Sequence, residues 1–342
     1  MEAELEHIND VGLRLNNTKN LKSSPQNFSH SCTPIPQPSD VPMPNQQIHT
    51  FGCRWDPNDY SCSYDVVFTA LIWAYSHANE GWRATWAGQN AAAQTLSRHF
   101  KTIVHTIQGP ANGRSPPSIP MLFSRGRNAF RDVLSEGNPR TFRRRGPVFA
   151  CLTDILSTIS HLEQSSQYLS VVSYCGGANC TIKTKKPPGA PTMLTPYIWK
   201  CISGSEVLPY HQSLQEWVAR WLDWNVASLP SSCSGCHREY SRTRSFLSPP
   251  WIWFEIFLEQ PHVVLPAFKL SFSPHTYRLA AVMYGDGSHF VARLSTPCGT
   301  WWHYNGQEHG GRPTAVSITS EEELLTCGNG YIANALLYCM ID

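Results

Sequence analysis

The sequence predicts an α+β fold, helical in its first half and β-rich in its last third. Two observations carry that reading. Apolar residues recur at i, i+3, i+4 and i+7 in several segments between 62 and 162, the period of helices with a buried face. From about 245 onward the pattern shifts to short β-branched and aromatic runs separated by Gly, Pro, Asn and Ser, as in strands joined by tight turns. With 342 residues, 41% of them hydrophobic, and 12 Trp, the chain can fill a substantial core as one large domain or two ordinary ones.

Taken in order, residues 1–50 are rich in Asn, Gln, Ser and Pro and poor in large apolar side chains, with Pro34, Pro36, Pro38, Pro42 and Pro44 spaced through the end, which predicts a disordered leader. Order is expected from Phe51-Gly52-Cys53-Arg54-Trp55. Polar residues 58–61 then give way abruptly to an apolar run. Asp59 and Ser61 are good N-caps, and Val67, Ala70, Leu71 and Ala74 share one helical face, so a helix is expected from Cys62 to about 79–81. A helix over about 90–107, a Gly/Pro/Ser-rich loop over 108–120, a helix over 124–134 and a basic loop over 138–146 follow. Leu152, Ile155, Leu156 and Ile159 place a further helix over 148–162. Strands are expected at 168–174 and 198–202, with an amphipathic helix over 213–224. Further strands fall at 251–258, 262–270, 277–284, 289–294, 300–304 and 335–341, and no internal repeat is present.

Charge excludes some functions. A net charge of +2 argues against a dedicated nucleic-acid surface, and the cluster Arg140, Arg143, Arg144 and Arg145, preceded by Arg125, Arg127 and Arg131, reads as a solvated basic loop. No apolar run approaches the ~20 residues that cross a bilayer, so no membrane partner is expected. The acidic, polar start differs from a signal peptide, which predicts a cytoplasmic or nuclear site, and a monomer is expected. Its 12 cysteines are then expected as reduced thiols, metal ligands or a nucleophile.

One cysteine stands where chemistry is readily built. A thiol in the first turn of a buried helix lies at the positive end of the macrodipole beside unpaired backbone N–H groups, which favours thiolate and offers donors to an oxyanion. Taken alone, such a residue is more commonly a small core hydrophobe. Far downstream, a Gly-rich hairpin between two expected strands ends at His289, and Trp301-Trp302-His303-Tyr304-Asn305 can return Asn305 beside it. A Cys–His pair needs such a third group to fix which imidazole nitrogen faces the sulfur. The order Cys on an early helix, then His and Asn on late strands, is that of papain-like cysteine peptidases.

Together these boxes resemble the ubiquitin-specific protease family. Ser288-His289-Phe290 with Ala292 is similar to its His box, the spacing from Trp301 to Asn305 to that of its third catalytic residue, and the ending Ile332-Ala-Asn-Ala-Leu-Leu-Tyr-Cys to its closing strand. Ser61-Cys62-Ser63-Tyr64 resembles its Cys box, with Pro57 where the family has Asn and Asn58 one residue late. The resemblance implies a papain-like cysteine peptidase fold with a helical thumb (51–165), zinc-ribbon-like fingers (166–244) and a β-rich palm (245–342). It implies Cys62 as nucleophile, His289 as base, Asn305 as its orienter and Asn58 with the Cys62 N–H as oxyanion donors. Trp301 and Trp302 would wall a narrow channel for the C-terminal Gly-Gly of ubiquitin or a ubiquitin-like protein. Alternatives are a silent ubiquitin-binding module of the same fold and a mobile-element or host-defence peptidase acting on another modifier.

Cys175 and Cys180, with Cys233 and Cys236, form a C-x4-C and a C-x2-C that can supply four thiolates to a tetrahedral structural zinc, and Gly176, Gly177 and Gly235 suit the knuckle turns. His237 can replace one ligand. The family resemblance places such pairs at the tip of the fingers; unrelated reduced thiols are the other reading.

Overall fold

The structure, a computed structural model, describes residues 48, 50–88, 90–108, 118–146, 149–160, 169–174, 199–200, 212–216, 218–219, 241–246, 251–256, 264–272 and 275–341. The disordered-leader expectation therefore falls almost wholly outside the described residues, as do Cys175, Cys180, Cys233, Cys236 and His237.

Among the described residues, five helices come first: α1 Cys62–His77, α2 Glu80–Ala87, α3 Ala91–Gln108, α4 Ile119–Gly137 and α5 Leu152–Ser160. Helix α1 starts at Cys62, but the expectation of one apolar face is corrected, since every residue from Cys62 to Ser76 is buried. It runs between the sheet on one side and α3, α4 and α5 on the other, and a helix surrounded in this way must be apolar all round. The second helix was not expected. Asn79, read as a stop, caps it instead, its side chain accepting from Trp82 N–H at 2.7 Å. Helix α4 extends past both expected ends, with Pro120 in its opening turn. Gly126 lets α4 lie against α1, because a Cβ there would stand 2.6 Å from Phe68 Cζ.

The strands are β1 Leu169–Tyr174, β2 Trp199–Lys200, β3 Gln212–Ser213, β4 Ser241–Phe246, β5 Trp251–Glu255, β6 Val264–Leu265, β7 Lys269–Phe272, β8 His275–Gly285, β9 Phe290–Ser295, β10 Trp301–Tyr304, β11 Thr314–Val316 and β12 Ile332–Met340. Eight of them form one sheet in the order β11-β10-β9-β8-β12-β5-β2, with β7 on the first half of β8. Strands β1 and β4 make a separate antiparallel ribbon, from Leu169 opposite Phe246 to Tyr174 opposite Ser241.

The sheet separates two cores. Ala281, Met283, Leu294 and Leu337 pack with the helices, while Leu279, Val282, Tyr284 and Tyr338 pack on the far side with Leu214, Val218 and Leu324. Simple alternation puts Leu279, Ala281 and Met283 on one face, and that expectation is corrected. Leu337 pairs with Ala281 but Tyr338 with Leu279, so Ala280 is an extra residue in β8, and the bulge shifts the pattern by one position.

The basic cluster is also corrected. Arg127 and Arg131 are only 3% and 1% exposed. Arg131 donates to the carbonyls of Arg143 (2.6 Å), Asp59 (2.5 Å) and Gly146 (3.3 Å) and lies over the Tyr64 ring, which ties the 138–146 loop to the turn before α1. Arg144 and Arg145 remain at the surface, paired with Asp132 and Glu136.

Candidate active site

Two contacts fix how α1 lies on the sheet. At its C-terminal end Trp73 Nε1 donates to Ser295 O at 2.8 Å, at the end of β9. At its N-terminal end the backbone N–H of Phe290, at the start of β9, lies near enough to the Cys62 sulfur to favour its thiolate form. Eleven helical residues and five strand residues both span about 17 Å, so the helix and strand run alongside in step. Cys62 thus stands next to the residue that follows His289.

The β8–β9 hairpin positions His289. Asp286 Oδ1 accepts from Ser288 N–H (2.8 Å), Ser288 Oγ (2.9 Å) and His289 N–H (2.7 Å), closing the turn around one carboxylate oxygen. Desolvation is the largest single influence and raises the Asp286 pKa, but these donors together hold the carboxyl below its ordinary value. Asn305 follows β10, and its Oδ1 lies 2.9 Å from His289 Nε2. The same oxygen accepts from the Gln307 backbone N–H at 3.1 Å. A backbone N–H can only donate, so the atom it meets is the amide oxygen, and His289 must carry its proton on Nε2 to complete the second bond. In the neutral ring Nδ1 is then unprotonated and basic, the tautomer a general base needs. The Gln307 side chain presents Nε2 to this nitrogen at 3.4 Å. His289 and Asn305 are 6% and 9% exposed, and the rings of Trp55 and Tyr331 meet the imidazole edge-on at 6.4 Å each.

The segment before Cys62 is anchored to the same turn. Trp55 N–H donates to Gly306 O (3.0 Å) and Tyr304 Oη to Cys53 O (2.8 Å). Gly311, at φ +80, sits so close that a Cβ would stand 2.2 Å from Cys53 O, so this approach requires glycine. Tyr60, with φ +41, reverses the chain into α1 in a conformation that is costly for a side chain with a Cβ, and its ring stacks on Phe149.

Beneath the thiol lies a buried polar cluster. Asp65, one helical turn after Cys62, pairs with Arg127 Nη1 at 2.9 Å and accepts from Ser61 Oγ at 2.6 Å. Arg127 Nη1 also donates to Ser61 Oγ (3.0 Å) and Arg54 O (3.1 Å). Burial still pushes the Asp65 carboxyl up to about 6 against the pull of Arg127.

The thiolate expectation is corrected. Burial, and then the Asp65 charge, push the Cys62 thiol up to about 11, although the N–H groups of Phe290, Ser63 and Cys62 itself face the sulfur and oppose the shift. At 2% exposure, desolvation outweighs the helix end, and the resting group is a thiol. Asn58 sits exposed at the tip of the turn, its backbone N–H on Asp56 Oδ1 at 3.0 Å. Trp301 is buried on the far face against Phe268, and Trp302 packs edge-on to Trp73. The aromatic groups around His289 are Trp55 and Tyr331. Sequence reasoning missed these two, along with Asp65, Arg127, Asp286 and Gln307. Asp65 and Gln307, within a few residues of Cys62 and Asn305, were the findable ones.

No family model and no curated sequence matches this chain. Solved structures do. The SAGA DUB module of Ubp8, Sgf11, Sus1 and Sgf73 bound to monoubiquitin is similar at 11% identity and TM-score 0.44, over 88% of this chain and 71% of that one. A second Ubp8 DUB module is similar at 13% identity and TM-score 0.43, over 89% and 71%. The pseudoubiquitin hydrolase–RNA exonuclease module of Saccharomyces cerevisiae Pan2 is similar at 10% identity and TM-score 0.38, over 90% and 57%.

Proposed function

We propose that the chain is a cysteine-dependent deubiquitinase-like peptidase, cleaving the peptide or isopeptide bond after the C-terminal Gly of ubiquitin or a ubiquitin-like modifier. The observation that carries the chemistry is the doubly held Asn305 oxygen, which leaves His289 Nδ1 as a base in the turn just before β9, the strand that runs beside α1. The substrate class rests on the resemblance of the Cys and His boxes to ubiquitin-specific proteases.

In this reading the Gln307 side chain swings off Nδ1 as substrate enters. His289 Nδ1 takes the Cys62 proton as sulfur attacks the carbonyl carbon, and backbone N–H groups at the start of α1 receive the oxyanion. The imidazolium then protonates the leaving amine. Water, activated by the same nitrogen, releases the acyl group and restores the thiol. A thiol that rests protonated makes the base essential.

A second reading, a silent ubiquitin-binding module, is favoured by three features: the buried thiol at about 11, the Gln307 amide on the base and the exposed Asn58. Hydrolysis of a fluorogenic ubiquitin C-terminal amide separates the two. Turnover that disappears in Cys62→Ala and His289→Ala supports the peptidase; ubiquitin binding without turnover supports the module.

Zinc at Cys175, Cys180, Cys233 and Cys236 belongs to the same proposal. Tyr174 pairs with Ser241, so the chain leaves β1 into Cys175 at the end of the ribbon where it enters β4, five residues after Cys236. A cytoplasmic or nuclear site of action would suit such reduced thiolates.

A further inference from the structure

At the other end of α1, about 22 Å along the helix from Cys62, lies a cavity of about 440 Å³ between the end of that helix and the ends of β8, β9 and β12. Its walls are mostly apolar, with Trp82, Phe268, Leu279, Trp301 and Ile318 among them. Arg278, on β8, also faces it. The guanidinium is held only loosely: Nη1 reaches Ser295 O at 3.3 Å and Ser295 Oγ at 3.4 Å, and no carboxylate pairs with it among the described residues. Desolvation lowers its pKa.

A part-buried arginine with no carboxylate partner among the described residues carries a desolvation cost. Proteins elsewhere give such groups a carboxylate, as this chain does for Arg127 with Asp65. A mostly apolar cavity of a few hundred cubic ångströms with a few polar groups, here Arg278 with Ser295, Thr296, His77 and the exposed Lys269, is also the form of a small-molecule site. Its volume holds on the order of fifteen heavy atoms at the ~30 Å³ share of a water in the liquid. We infer that this cavity binds a small organic carboxylate, its apolar body among Trp82, Phe268 and Trp301 and its carboxylate on the open donors of Arg278. The planar guanidinium suits a carboxylate, which it can grip with two parallel bonds, better than a hydroxyl or an amide. A phosphate, carrying more charge into mostly apolar walls, fits less well. The inference does not depend on the peptidase reading, since no residue of the cavity belongs to the Cys62 site.

Calorimetric titration of the full chain with 4-phenylbutyrate and with 4-phenylbutan-1-ol, matched in shape and differing in charge, tests it. The wild type is expected to bind the carboxylate at least tenfold more tightly than the alcohol. Arg278→Met keeps the stem but not the charge, and should bring the two affinities within about twofold of each other. Ile318→Trp, which fills the cavity from its rim, should remove binding of both while thermal unfolding stays cooperative. Absence of wild-type binding at millimolar ligand, equal affinity for acid and alcohol, or unchanged discrimination in Arg278→Met would each overturn the assignment.

Discussion

Replacing Arg127 by Met tests how the Cys62 helix is held in place. Arg127 is 3% exposed, and its guanidinium bridges Asp65 (2.9 Å), Ser61 Oγ (3.0 Å) and Arg54 O (3.1 Å), on both sides of the turn that delivers the thiol. Removing one partner of a buried pair leaves an uncompensated charge and costs about 3–5 kcal/mol. For a domain of this size each kcal/mol moves Tm by about 2 °C, so thermal unfolding at pH 7.5 should drop by about 6–10 °C. The sign with pH follows from Asp65. Its folded pKa is already raised, to about 6, and loss of Arg127 raises it further. The folded variant thus favours the protonated acid, so its stability is retained at low pH and lost as pH rises through that value. The deficit against wild type should be smaller at pH 5 than at pH 8. Asp65→Asn combined with Arg127→Met removes both charges and should recover most of the loss. A single variant within 2 °C of wild type, or a double variant no more stable than Arg127→Met, would show that the pair does not anchor the helix.

Other outcomes follow from the site. With the Cys62 thiol near 11, about one part in 10⁴ is thiolate at pH 7, so alkylation of Cys62 by iodoacetamide should rise tenfold per pH unit from 6 to 9; a plateau below pH 7 would mean a resting thiolate–imidazolium pair. Asn305→Ala removes orientation and not a bond-making group, so turnover should fall by about 3–10-fold, far less than in Cys62→Ala or His289→Ala, as measured by ubiquitin-amide hydrolysis. Gln307→Ala keeps the backbone N–H on Asn305 and clears Nδ1; Cys62 alkylation at pH 7 should be several times faster, and an unchanged rate would remove the amide from the account. Metal analysis of the purified chain should find about one zinc, lost together with stability on chelation; a metal-free protein indifferent to chelators would leave Cys175, Cys180, Cys233 and Cys236 as ordinary thiols.

What was legible in the sequence was local or periodic. The start of α1 at Cys62 followed from a sharp polar-to-apolar boundary, and the order of strands β8 to β10 from alternation and turn residues. The nearness of His289 and Asn305 followed because two successive hairpins return the chain on itself. What escaped depended on partners far along the chain. Arg127 and Arg131 look like part of a basic surface until Asp65, 62 residues earlier, and the carbonyls of Asp59 and Arg143 are brought to them. The bulge at Ala280 leaves no mark in a run of small apolar residues, so Leu279 changed faces unseen. The thiolate expectation considered only the helix end. Burial by the sheet and the adjacent Asp65 charge act on the same sulfur with the opposite sign, and they outweigh it.

The central claim is that Cys62 and His289 act as one nucleophile–base pair on a carbonyl delivered by the C-terminus of ubiquitin. Incubation with ubiquitin carrying a C-terminal propargylamide, followed by intact-mass and peptide mass spectrometry, tests this most directly. The account predicts one covalent ubiquitin per chain, attached at Cys62, absent in Cys62→Ala and strongly slowed in His289→Ala. Failure of the wild-type chain to form the adduct, or attachment at another cysteine at a rate indifferent to His289, would contradict it.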